Sequence, residues 1–220
     1  MKIAVVGLGS FGSHLVRELA ELGVEVLAVD NRESCVDDVK QDAAFAAVLD
    51  VTDRAALAQL PIDDLDAVVV TIGEDFRSAM LATAHLLALK PKRLMCRAAS
   101  ETHAQLLRAL DIKEVIIPEA VAAARVATSL AVKGVTGSYE LTERYRILEV
   151  TAPKRVVGKQ LHDLDLRKNY GINLVTVKRA DESGEDMVAV GVPPPDFTFK
   201  EGDILVLFGA EADFPKFLES

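Results

Sequence analysis

The chain has 220 residues, half of them hydrophobic, and its 34 Asp and Glu outnumber its 25 Lys and Arg, which gives a formal net charge of -9. This length is enough for one large domain, or for an ordinary domain and a small one. The negative charge argues against a nucleic-acid partner, because a polyanion would be repelled. No apolar run approaches the roughly 18 to 20 residues that a bilayer requires, so we expect no direct membrane insertion.

The two cysteines, Cys35 and Cys96, lie far apart and form no CxxC pair. His and Cys residues are not grouped at the spacing of zinc ligands. The first six residues indicate a strand that leads into a glycine loop rather than a signal peptide. These features predict a reduced, cytoplasmic protein.

Strand patterns alternate with helix patterns through the first 135 residues. Several strands, such as AVVV at residues 67–70, are apolar throughout, which is typical of parallel strands buried on both faces. We therefore predict an α/β fold with a doubly wound parallel Rossmann sheet in the strand order 3-2-1-4-5-6. The predicted strands are residues 2–6, 24–29, 44–49, 67–71, 93–97 and 114–117, and the predicted helices are residues 10–22, 33–41, 53–60, 75–89, 101–110 and 119–132.

The sequence GLGSFG, which includes Ser10 and Phe11, connects the first strand to the first helix. Gly7 permits a tight turn, Gly9 lets a pyrophosphate approach the backbone, and Gly12 lets the helix lie close to the strand. The helix N-terminus offers N–H groups and a positive dipole end to phosphates. We therefore expect a bound adenine nucleotide. The alternative is that the glycines serve packing alone.

The second strand ends at Asp30, about twenty positions beyond the glycines, where an acid binds an adenosine ribose through its hydroxyls. Asn31 follows it and belongs to the same predicted site. A carboxylate here argues against NADP, because it would repel the 2′-phosphate. Arg32 either meets a phosphate or is a solvated residue at the entry of the next helix.

Ligands of parallel sheets lie beyond the carboxyl ends of the strands. Further predicted nucleotide contacts therefore follow the third, fourth and fifth strands, and they are Asp50, Val51, Thr71, Ile72, Gly73 and Arg97. Asp50 either approaches the adenine or caps the helix that begins near Thr52. Gly73 is expected to let the backbone pass near the phosphates. Arg97 binds a phosphate or forms a salt bridge with Asp75 or Glu101.

Glu119 follows the sixth strand and is the candidate metal ligand. It lies at a helix N-terminus, where an acid is favourable in any case. The helix after it is apolar on nearly all sides, so it is buried either in the core of one subunit or in a dimer interface.

The pattern changes after Lys133. Residues 133–145, KGVTGSYELTERY, are predicted to be a linker. Beyond it we predict strands at residues 146–151, 174–179, 187–191 and 204–208, one helix at 158–166 and another at the C-terminus. The sequence thus predicts a nucleotide-binding domain at residues 1–134 and a small α+β domain at residues 137–220.

No catalytic residue is predicted. His14, His85 and His103 fall in predicted helices as surface or packing residues, and His162 has no partner constellation beside it. The chain has no GxSxG, no HExxH and no Walker lysine. A hydride-transferring enzyme also needs an acid or base near the substrate. We therefore expect a protein that binds a nucleotide and reports it.

The segments GLGSFG, VLAVD, LDVTD, VVVTIGED and VIIPEAVAAARVA resemble the N-terminal RCK (regulator of potassium conductance) domain. LHDLDLRKNYGINLVTVKR and FTFKEGDILVLFG resemble the C-terminal RCK domain. Over nearly the whole chain, and in this order, they are similar to the cytosolic regulatory subunits of the Trk/Ktr potassium-uptake systems.

The resemblance implies ATP, ADP or NAD(H) in the Rossmann crevice, with Gly7, Gly9 and Gly12 as the phosphate loop and Asp30 as the ribose acid. It implies Mg²⁺ or Ca²⁺ near the phosphates at Glu119. It also implies a homodimer that assembles into an octameric ring under a membrane potassium-translocating subunit of the KtrB/TrkH type. ATP and ADP would favour different ring shapes and so gate ion flux.

Two details qualify the resemblance. Many Ktr subunits carry arginine, which meets the terminal phosphates, where this chain has Ser10, so the preference for ATP over ADP, or for a dinucleotide, is open. The segment LRKNYGIN resembles a region that binds cyclic di-AMP in some members, with Arg167 and Asn173 at the matching positions. It is also an ordinary helix end with a glycine stop.

Two other functions remain as alternatives. One is an NAD-dependent oxidoreductase with catalytic groups on a partner chain. The other is a stand-alone nucleotide or redox sensor that acts on a partner other than a channel.

Overall fold

The computed structural model describes residues 1–131, 134–181, 183–184 and 186–218. The chain divides into two compact units, Met1–Val121 and Ala122–Ser220. None of the helices in the described ranges combines the length and the apolar character that a membrane crossing requires.

The first unit is a six-stranded parallel sheet with helices between its strands. Its strand order is β3-β2-β1-β4-β5-β6, so the doubly wound Rossmann topology predicted from the sequence is confirmed. The strands are β1 (Lys2–Val6), β2 (Glu25–Asp30), β3 (Phe45–Val48), β4 (Ala67–Val70), β5 (Leu94–Arg97) and β6 (Glu114–Ile116). The helices are α1 (Ser10–Glu21), α2 (Glu33–Asp37), α3 (Arg54–Leu57), α4 (Phe76–Ala88) and α5 (Glu101–Ala109). Helix α6 (Pro118–Ala131) begins in the first unit and continues into the second.

The central strands are apolar throughout because helices cover both faces of the sheet. On one face Val6 lies in a core with Leu57 and Leu86. On the other face Val5 lies in a core with Val16 and Val26. This double burial explains why period-2 alternation is missing from β1 and β4.

Helices α2 and α3 are shorter than predicted. The chain after Asp37 continues in turns, with Val39 N–H donating to the Val36 carbonyl at 3.2 Å. Helix α3 ends at Leu57, and the chain continues in turns, with Leu60 N–H donating to the Leu57 carbonyl at 3.1 Å. Pro61 follows, and a proline disfavours helical geometry in the residue before it. Helix α6 ends at Ala131 in the described range, and the predicted last residue, Val132, lies outside the described residues.

The second unit contains an antiparallel five-stranded sheet in the order β10-β9-β11-β8-β7, so the α+β prediction is confirmed. The strands are β7 (Val135–Glu140), β8 (Tyr145–Thr151), β9 (Asn173–Ala180), β10 (Met187–Ala189) and β11 (Ile204–Ala210), and the helices are α7 (Leu161–Leu164), α8 (Leu166–Tyr170) and α9 (Phe214–Leu218).

The linker prediction for residues 133–145 was wrong over most of its length. Val135–Glu140 forms β7, which pairs with β8 in an antiparallel hairpin. Only Val135 and Gly137 of this strand are buried, whereas its remaining residues are half-buried or exposed. The polar residues that suggested a linker therefore belong to an edge strand with one apolar face. Lys133 lies outside the described residues.

The single helix predicted at residues 158–166 is instead two short helices. They are separated at Asp165, whose φ of 41° places it in the left-handed region. Helix α8 then runs to Tyr170 and stops at Gly171, with φ of 72°. This confirms the interpretation of the segment RKNYGI as a helix end with a glycine stop.

Candidate functional site

The sheet register brings four predicted site residues into one row. Val6 of β1 pairs with Val29 of β2 and with Val70 of β4, and Val70 pairs with Cys96 of β5. The next residue on each strand is Gly7, Asp30, Thr71 and Arg97 respectively. These four residues therefore lie side by side at the carboxyl ends of four neighbouring strands, where parallel sheets bind their ligands.

Gly7 and Gly12 are needed for the packing of the glycine loop. Gly7 has a φ of 99°, and a Cβ there would lie 2.7 Å from Cγ1 of Ile72. A Cβ at Gly12 would overlap the carbonyl oxygen of Gly7 and lie 2.7 Å from Oγ1 of Thr71. Helix α1 therefore lies directly against the turn that follows β1.

Thr71 is buried, and its hydroxyl donates to the carbonyl oxygens of Gly7 and of Val6, the latter at 3.1 Å. Thr71 thus holds the turn in place from the neighbouring strand. Its side chain serves the loop, which sequence reasoning did not anticipate when it grouped Thr71 with the nucleotide contacts.

Gly9 differs from the other two glycines of the loop. It is the N-cap of α1 in an extended conformation, and a Cβ built there would meet no heavy atom of the described residues within 4 Å. The first-turn N–H groups of a helix have no intrahelical acceptor. Ser10, exposed, and Phe11, half-buried, follow it in that first turn. A small residue at this helix start leaves room for an anion beside those donors.

Asp30 is buried, and backbone and side-chain groups hold its carboxylate. Leu8 N–H donates to Oδ2 at 2.6 Å, and the N–H and Nε of Arg32 donate to Oδ1 at 2.9 and 3.2 Å. Burial works against ionisation of this carboxyl, but the hydrogen bonds from Arg32 and Leu8 outweigh it and lower the pKa of Asp30. Asp30 is therefore an anion that fixes the glycine loop to the end of β2.

Arg32 is the N-cap residue of α2 and is exposed, as one of the two sequence interpretations expects, and its side chain also pairs with Asp30. Its side chain is about half exposed, and its bond to Asp30 raises the pKa of the guanidinium. Asn31, between the two, is exposed. The signal for this pairing was present in the sequence spacing, since a carboxylate often bonds to the backbone two residues on.

Asp50 forms a local turn instead of a helix cap. Its Oδ1 accepts from the N–H and the hydroxyl of Thr52 at 2.9 and 2.7 Å. These two bonds, the hydroxyl bond first, lower the pKa of Asp50. The cap of α3 is Asp53, whose Oδ1 accepts from Ala55 N–H at 2.8 Å. Val51, the other predicted contact here, is buried in the apolar core.

The space beside Gly73 is filled by Arg97. A Cβ at Gly73 would overlap the Arg97 guanidinium, so a larger residue there would displace this side chain. The expectation that Gly73 lets the backbone pass near the phosphates stays a prediction, and the structure adds a contact between Gly73 and Arg97.

The Arg97 guanidinium forms an ion pair with Glu119 through Nη2 and Oε1. The partners expected from the sequence were Asp75 and Glu101, and both have other contacts: Asp75 caps α4 through Ser78, and Glu101 pairs with Arg108. The pairing follows from the fold, because β5 and β6 are neighbours and α6 begins directly after β6.

Glu119 lies in the first turn of α6 and is exposed. Its own backbone N–H and then the Arg97 side chain lower the pKa of its carboxyl. Within the described ranges of the chain, no three His, Cys, Asp or Glu side chains come together as a metal-binding group. Glu119 is thus not part of a cluster of three such side chains among the described residues.

His103 is expected to be a surface or packing residue, and the structure shows it buried in α5, close enough to Arg97 to feel its charge. Its ring contacts Phe76 edge-on at 5.0 Å, and Nδ1 accepts from Ala99 N–H at 3.3 Å. Burial, followed by the charge of Arg97, lowers the pKa of His103, so the ring is neutral at pH 7. The sequence did not indicate that His103 is buried. It showed only that His103 lies three residues after Ser100, the N-cap of α5.

In the second unit, Arg167 and Asn173 are in direct contact. Nε of Arg167 donates to Oδ1 of Asn173 at 2.9 Å. The two residues of the predicted second effector site thus lie together, where α8 leads into β9.

Comparisons with known proteins agree with both units. The TrkA-N domain model matches residues 3–118, and the TrkA-C domain model matches residues 145–220. Ktr system potassium uptake protein C of Bacillus subtilis (strain 168) is 33% identical over 216 residues, which cover 98% of this chain and 95% of that protein. Ktr system potassium uptake protein A of Vibrio alginolyticus is 31% identical over 222 residues, which cover 100% and 97%.

Among solved structures, the GsuK channel bound to NAD matches with a TM-score of 0.67 at 16% identity. The match covers 100% of this chain and 39% of the channel chain. The chain thus spans less than half of that channel subunit, and the likeness is one of fold.

Proposed function

This chain belongs to the family of TrkA-N and TrkA-C domain proteins that includes the Ktr potassium uptake proteins, and we propose that it is a nucleotide-binding regulatory subunit of a potassium-uptake system. The role in potassium transport rests on relatives that match nearly the full length of both chains. The residues that would carry out the regulation are those at the carboxyl edge of the first sheet.

The proposal of nucleotide binding is supported mainly by one observation. Gly7, Asp30 and Arg97 lie in one row at the strand ends, near the N-terminus of α1. A phosphate at Gly9 would meet first-turn N–H groups and the positive end of the helix dipole. Asp30 is an anion at the end of the next strand, where a ribose hydroxyl would donate to it. Its carboxylate already accepts from Leu8 and Arg32, so a ribose would share an acceptor that is preset in orientation.

We propose ATP or ADP as the ligand, with NAD(H) as the alternative. Asp30 disfavours a 2′-phosphate, and the exposed Ser10 brings no charge to a third phosphate. Arg97 is the cationic residue of the row, and it would bind a phosphate. Mg²⁺ or Ca²⁺ at Glu119, and cyclic di-AMP at Arg167 and Asn173, remain predictions from the family resemblance.

The proposed partner is a membrane potassium-translocating subunit of the KtrB/TrkH type, with this chain at the inner face of the membrane. We propose further that two copies form a dimer and that dimers form an octameric ring. Helix α6 supports the dimer, because Val121 is 62% and Leu130 is 81% exposed in a single chain. Apolar side chains in such positions mark interaction surfaces.

We propose a regulator rather than an enzyme. The titratable groups of the row are committed to holding the loop or to each other: Asp30 to Leu8 and Arg32, and Arg97 to Glu119. No general acid or base emerges from this arrangement in the described part of the chain, and the neutral His103 is buried.

The test is potassium flux through a purified membrane subunit of this type, reconstituted in vesicles with and without the chain. We expect the chain to change the flux and ATP and ADP to change it to different extents. Gly9→Ala should abolish the nucleotide effect while leaving the chain folded. If the potassium flux is the same with and without the chain under every nucleotide condition, the proposed function is contradicted.

A further inference from the structure

The Arg97 side chain is held on several sides but is incompletely bonded. It is 16% exposed, its guanidinium lies against Gly73, and its Cζ is 6.0 Å from the centre of the Phe11 ring. Its one described ion-pair partner is Glu119. The buried Nε atom has no hydrogen-bond partner among the residues that the structure describes.

An arginine has five N–H donors, and a buried donor without an acceptor is costly. Arg97 therefore retains binding capacity beyond the bond to Glu119. The guanidinium also lies at the carboxyl edge, beside the turn where Gly9 leaves room for an anion. A phosphate accepts two parallel N–H bonds from an arginine, which a single bond to Glu119 does not match.

The Glu119 side chain is open to solvent, so water can replace Arg97 as the partner of its carboxylate. It is 60% exposed and lies in the first turn of α6. The positive end of a helix also favours an acid there. Arg97 can thus leave this carboxylate without stranding a buried charge.

We propose that the Arg97–Glu119 ion pair is an internal competitor of the nucleotide: the phosphates of ATP or ADP take Arg97 away from Glu119. Binding of the phosphates then releases the carboxylate at the first turn of α6, the helix with exposed apolar side chains. This exchange links occupation of the crevice to the helix proposed as the dimer surface. It rests on the proposed function, since it requires a nucleotide at the glycine loop.

The test is calorimetric titration of ATP and ADP, in EDTA so that no divalent cation contributes. The chains are the wild type, Glu119→Gln, Arg97→Gln and the double variant. Glu119→Gln should bind about fivefold more tightly than the wild type, because the competing pair is weakened. Arg97→Gln should bind about tenfold more weakly. In the Arg97→Gln background, Glu119→Gln should change nothing.

A simple repulsion between Glu119 and the phosphates is distinguished by the double variant. Repulsion would make Glu119→Gln tighten binding equally with and without Arg97, and that result would overturn the exchange. Unchanged or weaker binding by Glu119→Gln would overturn it as well. Because Glu119 is exposed, this variant should fold, and its thermal unfolding in the absence of ligand checks that.

The matched control is Glu114→Gln, which removes the partner of Arg93 at the other end of β5. It should bind ATP and ADP as the wild type does. If the wild type binds neither nucleotide, the nucleotide part of the proposed function fails and the exchange fails with it. If the wild type binds and the variants show no coupling, only the exchange is overturned.

Discussion

One arginine directly precedes strand β5 and another ends it, and each is paired with a glutamate, yet the two pairs differ in kind. At the amino end, Arg93 and Glu114 are joined by two bonds of 2.8 and 2.5 Å, and both side chains are substantially exposed. At the carboxyl end, Arg97 is mostly buried, meets Glu119 through one nitrogen and leaves Nε without an acceptor among the described residues. In the first pair two arginine nitrogens bond to the two carboxylate oxygens. In the second pair Arg97 keeps N–H groups that could bond to a ligand.

The same contrast extends across the sheet. At the amino end, Lys2 pairs with Glu25 at 3.9 Å, and its backbone N–H donates to Asp66 at 2.8 Å, all on the exposed rim. Beside them an apolar groove of about 410 Å³ is lined by residues such as Phe45 and Leu60. At the carboxyl end, buried polar groups fix backbone turns. The polar groups at the amino end therefore form exposed surface contacts, whereas those at the carboxyl end fix backbone turns.

The largest effect should come from closing the space that the glycine loop needs. Gly12→Val places a branched side chain against the Gly7 carbonyl and Thr71, so we expect a loss of about 3 kcal/mol in the free energy of unfolding, measured in urea. Ser13→Val, at the next residue of α1, is the control. It should lower the free energy of unfolding by less than about 0.5 kcal/mol. Equal stability of the two variants would show that the loop relaxes freely.

The next effect should come from the buried acid. Asp30→Asn loses charge-assisted bonds from Leu8 and Arg32, and we expect a cost of about 2 kcal/mol in unfolding free energy at pH 7. The pKa of Asp30 is lowered on folding, so its contribution is full above the unfolded pKa and fades as the pH falls through the folded value. The difference between wild type and variant should therefore hold from pH 7 to pH 5 and shrink below pH 4.

Asp66→Asn is the control at the amino end, where the carboxylate is on the exposed rim. It should cost less than about 0.5 kcal/mol in unfolding free energy, since exposed partners contribute little. A cost equal to that of Asp30→Asn would remove the distinction between the two ends.

A smaller effect separates the two glycines that flank α1. Gly23 follows the C-cap of this helix and has a φ of 75°, so Gly23→Ala should cost about 1 kcal/mol of stability. Gly9 has an ordinary φ and open space, so Gly9→Ala should change the free energy of unfolding by less than about 0.5 kcal/mol. Thermal unfolding of both variants without ligand measures this, and a Gly9→Ala that is the less stable of the two would be inconsistent with the geometry at Gly9.

The topology of the first unit was predictable because its strands are apolar runs separated by helix patterns. Two neighbouring parallel strands need a crossover connection between them, and the helix patterns supply it. The glycine loop GLGSFG after β1 indicates that β1 is a central strand. Strand β7 was not predictable in the same way. Its polar residues occupy the exposed side of an edge strand, and only pairing with β8 reveals the buried pair Val135 and Gly137.

Part of the candidate site also followed from the sequence. The turn at Gly7 and the close helix packing at Gly12 depend on local geometry, and Asp30 ends a strand at a fixed distance from the loop. The Arg97–Glu119 pair did not follow, because it joins residues on adjacent strand ends that are brought together by the sheet. The contact of Arg97 with Gly73 is of the same kind, since it depends on a neighbouring strand.

The measurement that tests nucleotide binding at the carboxyl edge most directly is titration of ATP and ADP into the wild type, Gly9→Ala and Gly23→Ala. We predict that the wild type and Gly23→Ala bind alike and that Gly9→Ala binds at least about tenfold more weakly, because its methyl group takes the place of a phosphate. Binding by Gly9→Ala at wild-type affinity would contradict a nucleotide lying against the glycine loop.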